Sequence, residues 1–143
     1  MPSTALAQSQ TETEVMETIH ESNDYVNANL RDAADYSMHG ALEFWSSGGL
    51  LQEIPPEGRP DVYDAINVQA KHIRVLPLVE GEVAVAHYYL EGSLAPKGAA
   101  PVGHYLARVT QVFVKEDGAW KIRSSHWSPI AGGSGTSQTT LND

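Results

Sequence analysis

Three consecutive segments in the second half of the chain, EVAVAHYYLEGS, GHYLARVTQVFVK and AWKIRSSHWS, restrict the fold more than any other feature. Each is long and rich in β-branched and aromatic residues. Each is separated from the next by a link containing Gly, so the three read as successive strands that pair with one another. A sheet of this kind has a face to bury. With 143 residues and 41% hydrophobic side chains, the chain carries enough apolar material for one core and too little for two.

The cover for that face comes first in the sequence. From Thr11 to Leu30, Val15, Ile19, Val26 and Leu30 recur at helical spacing, with Glu12, Glu14, Glu17 and Glu21 on the other side. The next ten residues, RDAADYSMHG, suit a helix end or a short second helix. ALEFWSS and GLLQEI flank Ser47, Gly48 and Gly49 as the arms of a hairpin. After PPEGRPD, Pro60 and Asp61 predict a short helix through VYDAINVQAK, and HIRVLPL reads as a further strand. Helices followed by a run of strands predict an α+β domain over residues 11–130, with a disordered leader at 1–10 and a disordered tail at 131–143.

Composition narrows the partners. Nine basic against eighteen acidic residues give a formal net charge of -9, which disfavours a nucleic-acid backbone. No apolar run approaches the roughly 18 residues of a spanning helix, so no membrane partner is expected. With no cysteine, disulfides and thiolate chemistry are excluded and a cytoplasmic setting is the expectation. The six histidines show no short metal-ligand spacing, so neither a metal nor a cofactor is expected.

The last hairpin orients the sheet. A three-residue loop, Glu116 to Gly118, pairs Val114 with Trp120, Val112 with Ile122, Thr110 with Ser124 and Arg108 with His126; a two-residue Asp117-Gly118 turn would place Lys115 opposite Trp120. The first register predicts an inner face running from apolar Trp120 and Ile122 to polar Ser124, His126 and Ser128. It also predicts Tyr105, Val109 and Phe113 on the outer face, covered by a second subunit.

The ending RVTQVFVKEDGAWKIRSSHWS resembles the closing hairpin of the nuclear transport factor 2-like superfamily, especially its SnoaL-like branch, in which a strand, an acidic-Gly turn and W-x-I-x-x-x-H-x-S recur. GEVAVAHYYLEG resembles that superfamily's preceding long strand, and the likeness runs from Thr11 to Ser128. It implies N-terminal helices packed in a strongly curved antiparallel sheet, a cone-shaped, cystatin-like roll, with a pocket inside and commonly a dimer through the outer face. Members include ketosteroid isomerase, polyketide cyclases, dehydratases, a kinase association domain and transport proteins, so the fold alone assigns no activity.

Carried over by position, the family's pocket histidine falls on His126, followed by Ser128, and its strand arginine or polar position on Arg108. An arginine opposite a histidine can hold a carboxylate or enolate oxygen while the imidazole exchanges a proton, which suffices for isomerisation, dehydration or cyclisation. The same residues with Ser124 also read as a structural polar network. The Asp, Tyr and protonated Asp trio of ketosteroid isomerase has no counterpart that can be placed. Glu43 alternates with Leu42 and Phe44 and either lines the pocket or faces solvent. Tyr88 and Tyr89 lie on opposite faces, and family alternation favours Tyr88 inside. Trp45 reads as a core aromatic or a ligand platform, and Trp127, facing away from His126, as a subunit contact.

The expectation is therefore a homodimeric, cofactor-independent isomerase, cyclase or dehydratase acting on a small, partly apolar molecule. His126 and Arg108 would do the chemistry, and Tyr88, Thr110, Ser124, Ser128, Trp45 and Glu43 would contact the substrate. The competing expectation is a non-catalytic ligand-binding or association module with the same fold.

Overall fold

The computed structural model describes residues 7–130, so the tail at 131–143 and residues 1–6 of the leader lie outside the described residues. The first helix, α1 (Gln10–Asn29), begins where Ser9 accepts the Glu12 N–H on its hydroxyl at 3.2 Å, satisfying one of the free amides of the first turn. Thr11, Val15, Ile19 and Val26 are its buried side chains. Leu30 ends it in the left-handed conformation, its N–H bonded to the Val26 carbonyl.

Six strands follow: β1 (Ala41–Phe44), β2 (Gln52–Ile54), β3 (Tyr63–Val79), β4 (Val83–Pro96), β5 (Val102–Glu116) and β6 (Ala119–Pro129). They form one open sheet in the order β2-β1-β6-β5-β4-β3. β1 runs parallel to β6 and every other pair is antiparallel, so the sheet is mixed where an antiparallel one was expected. This is the α+β cone, with α1 as its one helix among the described residues. The segment at 31–40 carries isolated bridges, Arg31 to Val62 and Tyr36 to Ile122, instead of a second helix. None of the described helices is long and apolar enough to cross a membrane.

The helix expected from Val62 onward is instead the first half of β3. Ile66, Val68 and Ala70 turn inward at strand period, and β4 pairs with them, so tertiary pairing overrides the Pro60-Asp61 start signal. β3 is an edge strand, and α1 covers part of that edge. Asn23 and Asn27, one helical turn apart, both donate to the Val68 carbonyl at 2.8 Å, and their side-chain oxygens accept the N–H groups of Ala70 and Val68. At Gly92 β4 approaches β3 so closely that a Cβ would lie 2.0 Å from the Asn67 carbonyl oxygen. Only glycine fits there.

The β5–β6 hairpin differs from its expected register. Lys115 faces Trp120 and Glu116 faces Ala119, so the turn is the pair Asp117-Gly118, both at positive φ (50° and 78°), as a tight primed turn requires. A bulge then inverts the alternation. Ile122 pairs with Phe113, but Ser124 pairs with Val112, leaving Arg123 as the extra residue. Ahead of the bulge Trp120 and Ile122 are buried; beyond it Ser125 takes the inward position. The Arg123 guanidinium donates to the Gly40 carbonyl at 3.0 Å, at the point where the neighbour of β6 changes from the Tyr36 bridge to β1. Tyr105, Val109 and Phe113, expected outside, are core residues on the inner face of β5.

Candidate active site in the cone

A cavity of about 260 Å³ lies between α1 and the concave face of the sheet. That is slightly below the roughly 300–1,000 Å³ of typical small-molecule sites, so the space suits a compact ligand. Glu43 is one of its buried polar groups. In β1 the usual logic is reversed, because the apolar Leu42 and Phe44 face out, each 42% exposed, while Glu43 faces in at 4%. The parallel pairing with β6 sets this arrangement by placing Glu43 beside Ser125 and Phe44 beside His126.

Burial pushes the Glu43 carboxyl above its ordinary range, and donors on Tyr36, Ser125 and Trp127 act against that rise. A relay of hydrogen bonds supports the donors. The Tyr88 hydroxyl donates to Gln111 Oε1 at 2.6 Å, and Gln111 Nε2 donates to Ser125 Oγ at 3.2 Å. Burial also raises Tyr88 far above the usual phenol range, so it remains a neutral donor. Trp127 meets the Tyr88 ring edge-on at 6.2 Å. Despite these neighbours, Glu43 Oε1 has no hydrogen-bond partner among the described residues. A carboxyl oxygen left without a partner inside a cavity is costly.

Nearer the chain connections, burial raises Asp32 as well, opposed by the positive charge of Arg59 and by the Tyr63 hydroxyl, which donates to it at 3.3 Å. Arg59 is ion-paired with Asp61 and stacks over the Trp45 ring, 3.2 Å from its centroid. Ser46 and the Tyr105 hydroxyl share a hydrogen bond of 2.9 Å.

Of the residues picked out from sequence, Glu43, Tyr88 and Trp45 line this cavity. Trp127 lines it too, which corrects its assignment to a subunit contact. His126 and Arg108 do not face it, nor do Thr110, Ser124 and Ser128. His126, Arg108, Thr110 and Ser128 lie in a shallow groove on the outer face with Arg74, His87 and Tyr89. Their pairing differs as well: Thr110 is opposite His126 and Ser124 is opposite Val112. Arg108 is opposite Ser128, with Nε donating to Oγ at 2.8 Å. His126 packs on Phe44, ring centroids 5.4 Å apart. Two features are the cause: the two-residue turn puts Phe113 and Gln111 on the inner face and so Thr110 and Arg108 on the outer one, and the extra residue Arg123 sends every later side chain of β6 to the face opposite the expected one.

Sequence reasoning passed over Tyr36, Asp32, Arg59, Gln111 and Ser125. Gln111 carried a usable signal, because it interrupts the buried series Tyr105, Ala107, Val109 and Phe113 at strand period. Among the described residues no group of three or more His, Asp or Glu side chains is placed to hold a metal ion.

The model of the SnoaL-like domain matches residues 57–132. No curated protein sequence matches the chain. Solved structures share its fold at low identity. A nuclear transport factor 2-like protein of unknown function from Pseudomonas putida is 16% identical with a TM-score of 0.59, covering 91% of this chain and 96% of that one. The calcium/calmodulin-dependent kinase II hub homology domain of Chlamydomonas reinhardtii is 24% identical with a TM-score of 0.58, covering 85% of this chain and 98% of that one. A calcium/calmodulin-dependent kinase II association domain from Exiguobacterium sibiricum is 12% identical with a TM-score of 0.58, covering 88% and 98%.

Proposed function

The chain belongs to the SnoaL-like domain family, and from that premise we propose that its cavity binds a small, partly apolar molecule on which Glu43 acts as acid and base, the chemistry of an isomerase, cyclase or dehydratase. The observation that carries this reading is the unpartnered, buried Glu43 Oε1. A carboxyl raised by burial is better suited to take up and return a proton near neutral pH than an exposed one. Donors on Tyr36, Ser125 and Trp127 stabilise the ionised form of the group, and its free oxygen would meet the substrate. The acid-base role expected of His126 thereby moves to Glu43. The cysteine-free chain is read as cytoplasmic.

The test is a binding and turnover screen with enones, hydroxy acids, polyketide-like aromatics and amines, read by thermal shift and by the Trp127 indole signal. A ligand that shifts Trp127 supports the cavity, and loss of its turnover in Glu43→Gln supports the role. Turnover unchanged in that variant would sink it.

A second reading, self-association, draws on the outer face. Leu42, Phe44, Leu76, Val79 and Tyr89 are exposed large hydrophobic residues, and Leu76, Val85, Val112, Ser124 and Leu42 follow one another across five strands. A second copy covering this row would form a homodimer. Sedimentation of the wild type and of Leu76→Glu tests it, with a monomer at micromolar concentration in both as the result against it.

A further inference from the structure

We infer that the cavity takes a small organic cation, an alkyl or arylalkyl amine whose N–H group meets Glu43 Oε1; the inference rests on reading this cavity as the active site and names its substrate class. The lining supports it in three ways. First, the donors directed at Glu43 are Tyr36, Ser125 and Trp127, and the remaining oxygen, Oε1, accepts when the carboxyl is ionised, so a ligand that brings a hydrogen suits it. Second, the charged lining residues are Asp32, Asp35, Glu43 and Asp61 against Arg59 and Lys97, in a chain of net charge -9, which opposes an anion. Third, aromatic rings surround the space: Tyr36, Trp45, Tyr63, Tyr88, Tyr105 and Trp127. The hydroxyls of Tyr63, Tyr88 and Tyr105 are engaged with Asp32, Gln111 and Ser46, which leaves their ring faces for an apolar or cationic guest.

The protein already contains a small version of this arrangement. Arg59 places a cation against the Trp45 ring and a carboxylate, that of Asp61. Glu43 and the Tyr36, Tyr88 and Trp127 side chains offer the same pairing of carboxylate and rings without a resident cation. In that setting the bound ammonium can pass its proton to Glu43. The N–H bond breaks with its electrons staying on nitrogen, an O–H bond forms, and a neutral amine faces a neutral carboxyl. Both charged groups lose hydration in the cavity, which favours this exchange and yields a nucleophilic amine.

The experiment titrates the protein with phenethylamine, 2-phenylethanol and phenylacetate, and with butylamine, butanol and butyrate, following calorimetry and the Trp127 indole resonance. Amines should bind at least about tenfold more tightly than the matched alcohols and carboxylates. Their affinity should fall by up to about tenfold per pH unit below the Glu43 pKa, because binding needs one proton shared between carboxylate and amine. The titratable and charged groups that line the cavity with Glu43 are Tyr36, Asp32 and Asp35 ahead of β1, Arg59 and Asp61 ahead of β3, Tyr63 on β3, Tyr88 on β4, Lys97 after it and Tyr105 on β5; α1 lines it with uncharged residues. Glu43→Gln should lower amine affinity about tenfold and alcohol affinity less than twofold. Should that variant fail to fold, the pH profile of the unaltered protein decides. Carboxylates binding as tightly as amines, or amine affinity that ignores both pH and Glu43→Gln, would overturn the inference. If alcohols or carboxylates shift Trp127 and amines show no preference, the cation falls and the cavity reading stands. If none of the six compounds shifts Trp127, both fall.

Discussion

On β6, side chains one residue apart in sequence meet opposite surroundings. Ser125 is buried within the relay from Tyr88 to Glu43, and Trp127 closes against Tyr88. His126 and Ser128 face outward into a shallow groove and pair with Thr110 and Arg108. The two sets lie on one strand, and each has a serine bonded to a side chain of β5. What separates them is the cost of leaving a polar atom unpaired, which is high inside the cone and low where water reaches. A polar residue therefore signals chemistry on the inner face much more strongly than on the outer one.

The most severe way to break this comparison is to shift β6 by one residue beyond the bulge. Inserting an alanine between Ser124 and Ser125 would turn Ser125 and Trp127 outward and force His126 into the core, so a loss of about 4 kcal/mol or outright failure to fold is expected in urea titrations followed by circular dichroism. An insertion variant of unchanged stability would mean that β6 tolerates either phase.

The next largest contrast is functional. Glu43→Gln should reduce turnover of any substrate found by about a hundredfold or more, the scale of lost general acid-base catalysis, whereas His126→Asn should remain within about twofold of wild type. Steady-state kinetics of both variants under one condition separates the two faces; a larger loss in His126→Asn would restore the outer groove as the site.

Stability offers a smaller version of the same contrast. Tyr88→Phe leaves Gln111 Oε1 without its donor in the core and should cost about 1 kcal/mol, while Tyr89→Phe, on the exposed face, should stay within about 0.5 kcal/mol. Equal effects in chemical denaturation would show that the relay contributes little.

The smallest expected effect depends on pH. The Glu43 pKa is raised in the folded protein, so the folded state holds its proton more firmly than the unfolded chain. That contribution to stability is fully present below the unfolded value and is lost as pH rises through the folded pKa. Glu43→Gln removes the buried charge and places an amide nitrogen where Oε1 was orphaned. Its Tm should exceed that of wild type by about 3 °C at pH 8 and converge with it at pH 4. Glu14, lowered chiefly by its hydrogen bond from Trp120, titrates in the opposite sense but equally in both proteins, so it cancels in the difference. A Tm gap that is constant between pH 4 and pH 8 would contradict the assignment.

Much of the architecture is determined by the sequence itself. Val15, Ile19 and Val26 mark α1 because a helix repeats every 3.6 residues, and Ser47-Gly48-Gly49 separates β1 from β2 because glycine permits the backbone a tight connection needs. Alternation along β4, a strand that runs unbroken through that region, puts Tyr88 and Tyr89 on opposite faces, and the family resemblance favoured Tyr88 inside. The site was decided elsewhere. Alternation relates side chains only within an uninterrupted strand, and a single extra residue reverses it. The contact that accompanies the reversal, Arg123 with the Gly40 carbonyl, joins positions 83 residues apart. Ser125, the parallel neighbour beside which Glu43 turns inward, is comparably remote from it in sequence. No local pattern contains either partner, so which polar residues became buried chemistry and which became surface was settled only when the chain closed on itself.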